Sequence, residues 1–469
     1  MVRNRRVYLL DPSKLPPETI AVTFAKTSRS PQSFAEIAAE LTDEKSAEFH
    51  EKWVVGYGHA SVAEHAVLHI AVENISRLAV ETLESCRLAS YTEKSTRYQK
   101  WDASAFHTPA ELDGTPFKSI YIQTIEALFQ AYQEALPVVR QLIEKESPLL
   151  PAESEAAWER RIRSCYVDVC RFYLPAAALA NVGITINARA LEHLISKLLS
   201  NPLEEVRLLG REIKETACAH VPTLVKYANP LPNLVQVQNN LESFPIEKQT
   251  DDWCQLIYVD PDPEERILAA LLYRFENISY ANSLLKVKSM TPTEQQKLAE
   301  LLLQGLEKHA IPLRELEYAN FTFDVTIDQG AYFELKRHRM MTQTPQALTT
   351  RLGYALPLKI VQSGLTEHFN AAMQAAQYAY ERLAEWNPHI AAYVVPNAYN
   401  RRVLLQFNLR SGEHLLALRS APNAHFSLRR LSQRMAEQIR VELPLLGPHL
   451  RVEAGETWQQ IEKENFAQL

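Results

Sequence analysis

Glycine is scarce in this chain, 12 of 469 residues. Phosphate cradles built from glycine-rich turns therefore have little raw material, and no GxxxxGK[ST] segment is present. The nearest approach, Gly56-Tyr57-Gly58-His59-Ala60-Ser61, follows a helical-looking segment, so it lacks the strand that a dinucleotide-binding turn needs. Cysteine is sparse too. The five present (Cys86, Cys165, Cys170, Cys218, Cys254) are odd in number and form no CxxC pair, which argues against a disulfide framework and a zinc site. No apolar run reaches the ~18 residues of a membrane span. The first apolar run breaks at Asp11-Pro12, too short for a signal peptide, so the cytoplasm is the expected compartment. A formal net charge of −6 provides no general basic field for nucleic acid or anionic membrane.

What the chain does have is a sentence said twice. Asn187, Arg189, Glu192, His193 and Leu194 recur at one fixed spacing as Asn408, Arg410, Glu413, His414 and Leu415, and Pro175 recurs as Pro396. In each copy a β-type apolar stretch (Ile184–Ile186; Leu404–Phe407) runs into a helix that opens Asn-x-Arg. The spacing is roughly 220 residues, far beyond the ~20–50 of a solenoid repeat. It marks a duplicated domain. We expect an N-terminal domain over 1–228, a linker over 229–255 (Asn229-Pro-Leu-Pro-Asn233 and the polar stretch after it) and a C-terminal domain over 256–469.

Hydrophobic spacing predicts helices over 33–50, 61–72, 76–87, 118–147, 152–173, 188–199 and 203–220 in the first half. It predicts strand character from Val67 to Ile75. The second half repeats the programme, with helices over 263–275, 293–308, 329–338, 367–385, 411–419 and 424–441 and strands over 319–327 and 402–407. Strand and helix blocks without regular βαβ alternation predict an α+β fold.

Polar residues cluster where packing alone does not require them. The first half has Gly58-His59-Ala60-Ser61-Val62-Ala63-Glu64-His65, the run Arg87 to Tyr98 with Ser90, Tyr91, Glu93, Ser95, Thr96 and Arg97, and Asn187-Ala188-Arg189. The second has Glu315-Leu316-Glu317-Tyr318, Arg337-His338-Arg339 with Thr349-Thr350-Arg351, and Asn408-Leu409-Arg410 running on to Arg419. In these segments, and in their order and spacing, both halves resemble the flavin-dependent thymidylate synthases. The resemblance covers almost the whole chain outside the termini and the linker. It implies two tandem domains, each a mostly antiparallel sheet with flanking helices. It also implies reductive methylation of dUMP to dTMP, with FAD as hydride relay and with methylenetetrahydrofolate and NADPH as co-substrates. Arginine forks suit such a phosphorylated substrate where glycine loops are absent.

Carried over residue by residue, the resemblance assigns substrate binding to Glu93, Ser95, Thr96, Arg97, Arg171, Arg337 and Arg419, with Ser95, Arg337 and Arg419 catalytic. It assigns the cofactor to His59, Ser61, Glu64, Arg87, Asn187, Arg189, His193, Arg337, His338, Arg339, Asn408, Arg410 and His414, and implies no metal. His193 and His414 fit equally a buried, satisfied histidine.

Neither half is complete. The first has Ser85-Cys86-Arg87 in place of Arg-His-Arg, and Leu198 where Arg419 stands in the second. The second has Pro312 against His59, Arg314 against Ser61, Pro345 near the glutamate of the loop, and Ala392 against Arg171. The losses are complementary. They predict one composite site per pair of halves, in a homodimer that imitates the family's tetramer. Two further readings stay open: the same fold acting on another pyrimidine nucleotide, or a non-catalytic flavin- or nucleotide-binding protein.

Overall fold

The computed structural model describes residues 6–56, 60–95, 97, 99–240, 252–303, 305–307 and 310–467. They fall into two compact units. The first comprises Met1–Ser95, Ala105–Lys118 and Ala177–Pro245; the second comprises Thr96–Ser104, Ser119–Ala176 and Ile246–Leu469.

The first unit is built on β1 (Val67–Ser76), β2 (Ala89–Glu93) and β3 (Leu179–Asn187), an antiparallel sheet in the order β1-β3-β2. Leu68, Ile70 and Val72 are buried at alternate positions, as a sheet with one covered face requires. A register shift between Val72 and Ile75 places Asn74 at φ 57°, a bulge after which pairing resumes at Ile75–Ala180 and Ser76–Leu179. The second unit carries β4 (Cys254–Val259), β5 (Asn320–Asp328), β6 (Thr342–Pro345) and β7 (Asn400–Asn408), antiparallel in the order β4-β5-β7-β6. The arrangement β5-β7-β6 restates β1-β3-β2. The fold is the expected α+β, with a mostly antiparallel sheet and flanking helices in each half.

The duplication extends to helix initiation. Four strands end on a residue whose side chain caps the next helix. Ser76 accepts from the amide of Ala79, Asn187 from Ala190, Asp328 from Ala331 and Asn408 from Ser411. Each cap satisfies an amide that the first helical turn leaves without a partner. The helices so started are Arg77–Leu83, Ala188–Leu199, Gln329–Leu335 and Leu409–Arg419.

Several boundaries differ from the sequence reading. The helical spacing over 61–72 ends as a 3-10 turn at His65, because burial then alternates along β1. The strand β2 was not expected, since its Ser90, Thr92 and Glu93 break any apolar run. Within the stretch read as linker, Pro232–Asn240 is helical and β4 already begins at Cys254; residues 241–251 lie outside the described residues. The two compact units divide at more places along the sequence than that stretch: most of the helix Phe117–Glu146 and the helix Glu155–Cys170 belong to the second unit. There the duplicated prolines meet each other: Pro175 and Pro396 form an antiparallel bridge. The amides of Ala176 and Asn397 donate to the carbonyls of Val395 and Leu174, both at 3.0 Å. Among the described residues no helix is long and apolar enough to cross a membrane.

Candidate functional site

The second unit gathers charges from both halves of the sequence. The helix Glu155–Cys170, capped by Ser154, carries Asp168 in its last turn and delivers Arg171 to the buried 3-10 turn Arg171–Tyr173. Asn397 pins that turn, donating from Nδ2 to the carbonyl of Arg171 at 3.0 Å. Gly330 leaves room for the capping carboxylate of Asp328: a Cβ there would sit 3.2 Å from its Oδ1, with Nε of Arg171 at ordinary contact distance, 3.7 Å. The helix Gln329–Leu335 presents Glu334, and the helix Leu409–Arg419 ends on Arg419, where the helix dipole favours a cation.

Glu334 is the hub. Arg171 donates to its Oε1 at 3.1 Å, Arg419 to its Oε2 at 3.2 Å, and Arg97 stands 3.8 Å from Oε2. Asp168 is the second hub, paired with Arg97 at 2.8 Å and with Arg171 at 3.3 Å. Arg97 also donates to the carbonyl of Asn423 at 3.2 Å. Arg419 completes its contacts with the carbonyl of Glu334 at 3.1 Å and with Nε2 of His338 at 2.9 Å.

Burial and charge set the protonation states. Burial pushes the Glu334 carboxyl up, but Arg171, Arg97 and Arg419 together bring it below the ordinary carboxylate value. Burial wins at Asp168, whose carboxyl is raised despite Arg171 and Arg97. Burial, then Arg419 and His414, lowers His338 to about 3, and His425 is lowered well below its ordinary value by burial and by Arg171 and Arg97. Both rings are therefore neutral near pH 7. His425 caps the helix Phe426–Glu442, accepting at Nδ1 from the amide of Ser427, and its Nε2 lies 3.9 Å from Asp168. Three guanidinium groups against two carboxylates leave a surplus positive charge. Such a cluster can receive a phosphate or polarise a carbonyl through planar N–H forks.

The other expected site residues are distributed as follows. Arg337 is exposed and Arg339 half-buried beside the cluster, and the charge of Arg337 bears on Arg419. Glu93, in the first unit, forms a buried ion pair with Arg77, and Ser95 is half-buried at the end of that unit's first segment. His59 and Thr96 lie outside the described residues. Ser61, Arg87 and His193 are exposed on the first unit, where Glu64 pairs with Arg189; in the second unit Glu317 pairs with Arg410 at 2.7 Å. This glutamate–arginine pair is common to both repeats. Asn187 and Asn408 spend their side-chain oxygens on helix caps. His414 is exposed, its ring 5.8 Å from that of His338. Leu198 is buried in the core of the first unit. Among the described residues no group of three or more His, Cys, Asp or Glu could hold a metal ion.

Sequence reasoning missed Asp168, Glu334, Asn397 and His425. A faint signal existed: an acid stands one helical turn before an arginine at both Asp168–Arg171 and Glu334–Arg337. On a helix that spacing ordinarily means a solvated pair.

The family model for the thymidylate synthase complementing protein matches residues 9–223 and 255–445, one segment for each repeat. The chain belongs to that family. A UPF0159 protein of Chlamydia muridarum is 34% identical over 422 residues, covering 85% of this chain and 80% of the relative. A flavin-dependent thymidylate synthase of Sulfolobus acidocaldarius is 31% identical over 233 residues, 49% of this chain and 78% of the relative. Among solved structures, the flavin-dependent thymidylate synthase of Helicobacter pylori complexed with FAD and dUMP aligns at 18% identity and TM-score 0.33, over 43% of this chain and 99% of that one. The Sulfolobus relative thus aligns with about half of this chain, and the Chlamydia relative with most of it.

Proposed function

We propose that this family member is a flavin-dependent methylase of a pyrimidine nucleotide, converting dUMP to dTMP, with one composite substrate site. The observation that carries the reading is the convergence of Arg97 and Arg171 from the first half and Arg419 from the second on Glu334. The residues fit the cofactor in one respect: Arg337, beside the cluster in the second unit, is an exposed cation able to receive a phosphate of the dinucleotide. A bound reduced flavin supplies hydride to the pyrimidine, methylenetetrahydrofolate the one-carbon unit and NADPH the reducing equivalents. The chain's own residues do the rest. Arg97 and Arg171 bind the phosphate, which competes with Asp168 and Glu334 for their N–H groups. Arg337 and Arg419 face the base, and Arg419 stabilises charge that develops on its carbonyl oxygens. The proposed assembly is a homodimer in the cytoplasm.

A second reading is motivated by Pro345, which closes β6 where Glu93 closes β2, so the loop that follows differs between the repeats, and such loops set substrate choice. Another pyrimidine nucleotide is then the substrate, and a competition panel of nucleotides separates the two readings. The first is tested on purified protein by flavin absorbance, dUMP binding and dTMP formation. Arg419→Ala is expected to lower kcat by about 10²–10³-fold. Unchanged turnover in both Arg419→Ala and Arg97→Ala would overturn the composite site. Bound flavin without NADPH oxidation would point instead to a non-catalytic binding protein.

A further inference from the structure

Arg419 is held at three of its nitrogens before any ligand arrives. Nε donates to Nε2 of His338 at 2.9 Å, Nη1 to Oε2 of Glu334 at 3.2 Å, and Nη2 to the carbonyl of Glu334 at 3.1 Å. A guanidinium carries five N–H groups in a fixed plane. Two therefore remain, one on each terminal nitrogen, without a partner among the described residues.

The contact with His338 has a chemical requirement. An arginine only donates, so Nε2 of His338 must hold a lone pair and the ring proton must sit on Nδ1. The surroundings enforce that state. His338 is 7% exposed. The groups facing it are Arg419, with Arg337 and Arg339 flanking it in sequence, and the ring of His414. The nearby carboxylate, Glu334, is already shared by three arginines. Protonating His338 would set a cation against Arg419 and remove the acceptor. The backbone beneath is fixed as well: Nε2 of Gln343 donates to the carbonyls of Leu335 and His338 at 3.1 and 3.0 Å.

We propose that His338 is a positioning residue, a neutral acceptor that with Glu334 fixes the plane of the Arg419 guanidinium toward the substrate. The resemblance in sequence assigns His338 to the cofactor, whereas the geometry puts it against Arg419. The inference rests on reading Arg419 as a substrate-facing cation. A lysine at 419 could not reproduce the arrangement, because an ammonium has no plane to hold. Preorganised donors act on a transition state without reorganising, so losing the acceptor lowers kcat more than it raises KM.

The pair is tested first without nucleotide or turnover. Long-range ¹H–¹⁵N spectra of the full chain with labelled histidine are expected to show His338 as the Nδ1–H tautomer. It should not titrate between about pH 5 and 8, where an ordinary histidine does. Its signals should move in Arg419→Gln. An Nε2–H tautomer, or an ordinary midpoint, overturns the proposal even if the enzyme is active. Kinetics follow: His338→Phe removes the acceptor and is expected to lower kcat on the order of 10–100-fold with little change in KM, while His338→Gln keeps an acceptor and recovers much of the loss. Equal kcat in Phe and Gln variants overturns it too. If wild-type protein methylates no pyrimidine nucleotide, the proposed function fails, and the spectra still decide the His338–Arg419 pair. They also decide it should His338→Phe not fold.

Discussion

Arg171 and Glu334 form a buried ion pair at 3.1 Å, their side chains 1% and 8% exposed. Each comes from a different half of the sequence. Taking such charges out of water is expensive, and the pair persists because each ion has further partners, Asp168 for the arginine and Arg97 and Arg419 for the glutamate. Removing one member strands the others. Glu334→Leu is therefore expected to destabilise the fold by about 3–5 kcal/mol. Glu385→Ala, which breaks the exposed Arg382–Glu385 pair, should cost less than about 1 kcal/mol. Denaturant unfolding of the two variants compares them, and similar costs would mean that the hub is no more stabilising than a surface pair.

The neutral His338 makes stability depend on pH in a stated direction. Its folded value of about 3 lies below the ordinary 6.5, so below pH 6.5 the unfolded chain takes up a proton that the folded chain refuses. Stability is then lost as pH falls from 6.5 toward 3. His425 and the carboxylates add their own slopes, which wild type and a His338 variant share. Against His338→Gln, wild type should lose about 1–2 kcal/mol more stability between pH 7 and 5. Parallel stability profiles would mean that His338 titrates normally in the folded protein.

Much of this fold was legible in the sequence because the repeat fixes equivalent positions. The β7 residues Asn400–Asn408 and the β3 residues Leu179–Asn187 carry the same alternation and the same terminal asparagine, so a strand and a capped helix could be read twice. Arg97, Arg171 and Arg419, which converge on Glu334, could be singled out in the sequence because a guanidinium's chemistry is singular. Glu334 and Asp168 could not, since an acid three residues before an arginine looks the same in a surface helix as in a buried hub. Only convergence from distant segments tells them apart. The short strand β2 was hidden for a different reason: it is held by pairing with β3, not by an apolar run of its own.

The asparagine caps should be equivalent in energy as they are in geometry. The Asn187–Ala190 and Asn408–Ser411 bonds are both 2.9 Å. Asn187→Ala and Asn408→Ala are each expected to cost about 1 kcal/mol, and serine at either position should restore most of it. If alanine is neutral in thermal or denaturant unfolding while ligand binding falls, the asparagines serve the cofactor rather than the helix.

The first repeat cannot be repaired by restoring its missing arginine. Leu198 holds the position equivalent to Arg419, yet it is 0% exposed. The helix Glu204–Cys218 closes over it, and a Cβ added at Gly210 would lie 2.8 Å from Cβ of Leu198. An arginine there would have neither room nor an established acceptor. Leu198→Arg is expected to cost about 3 kcal/mol or more through an uncompensated buried charge. Gly210→Ala should cost about 1–3 kcal/mol by overpacking the same contact. Both are read by denaturant unfolding, alongside nucleotide stoichiometry from calorimetry. A stable Leu198→Arg protein that bound twice the wild-type amount of nucleotide would show that the first repeat lost only one side chain. The packing argues that Leu198 is a core residue with no space for an arginine.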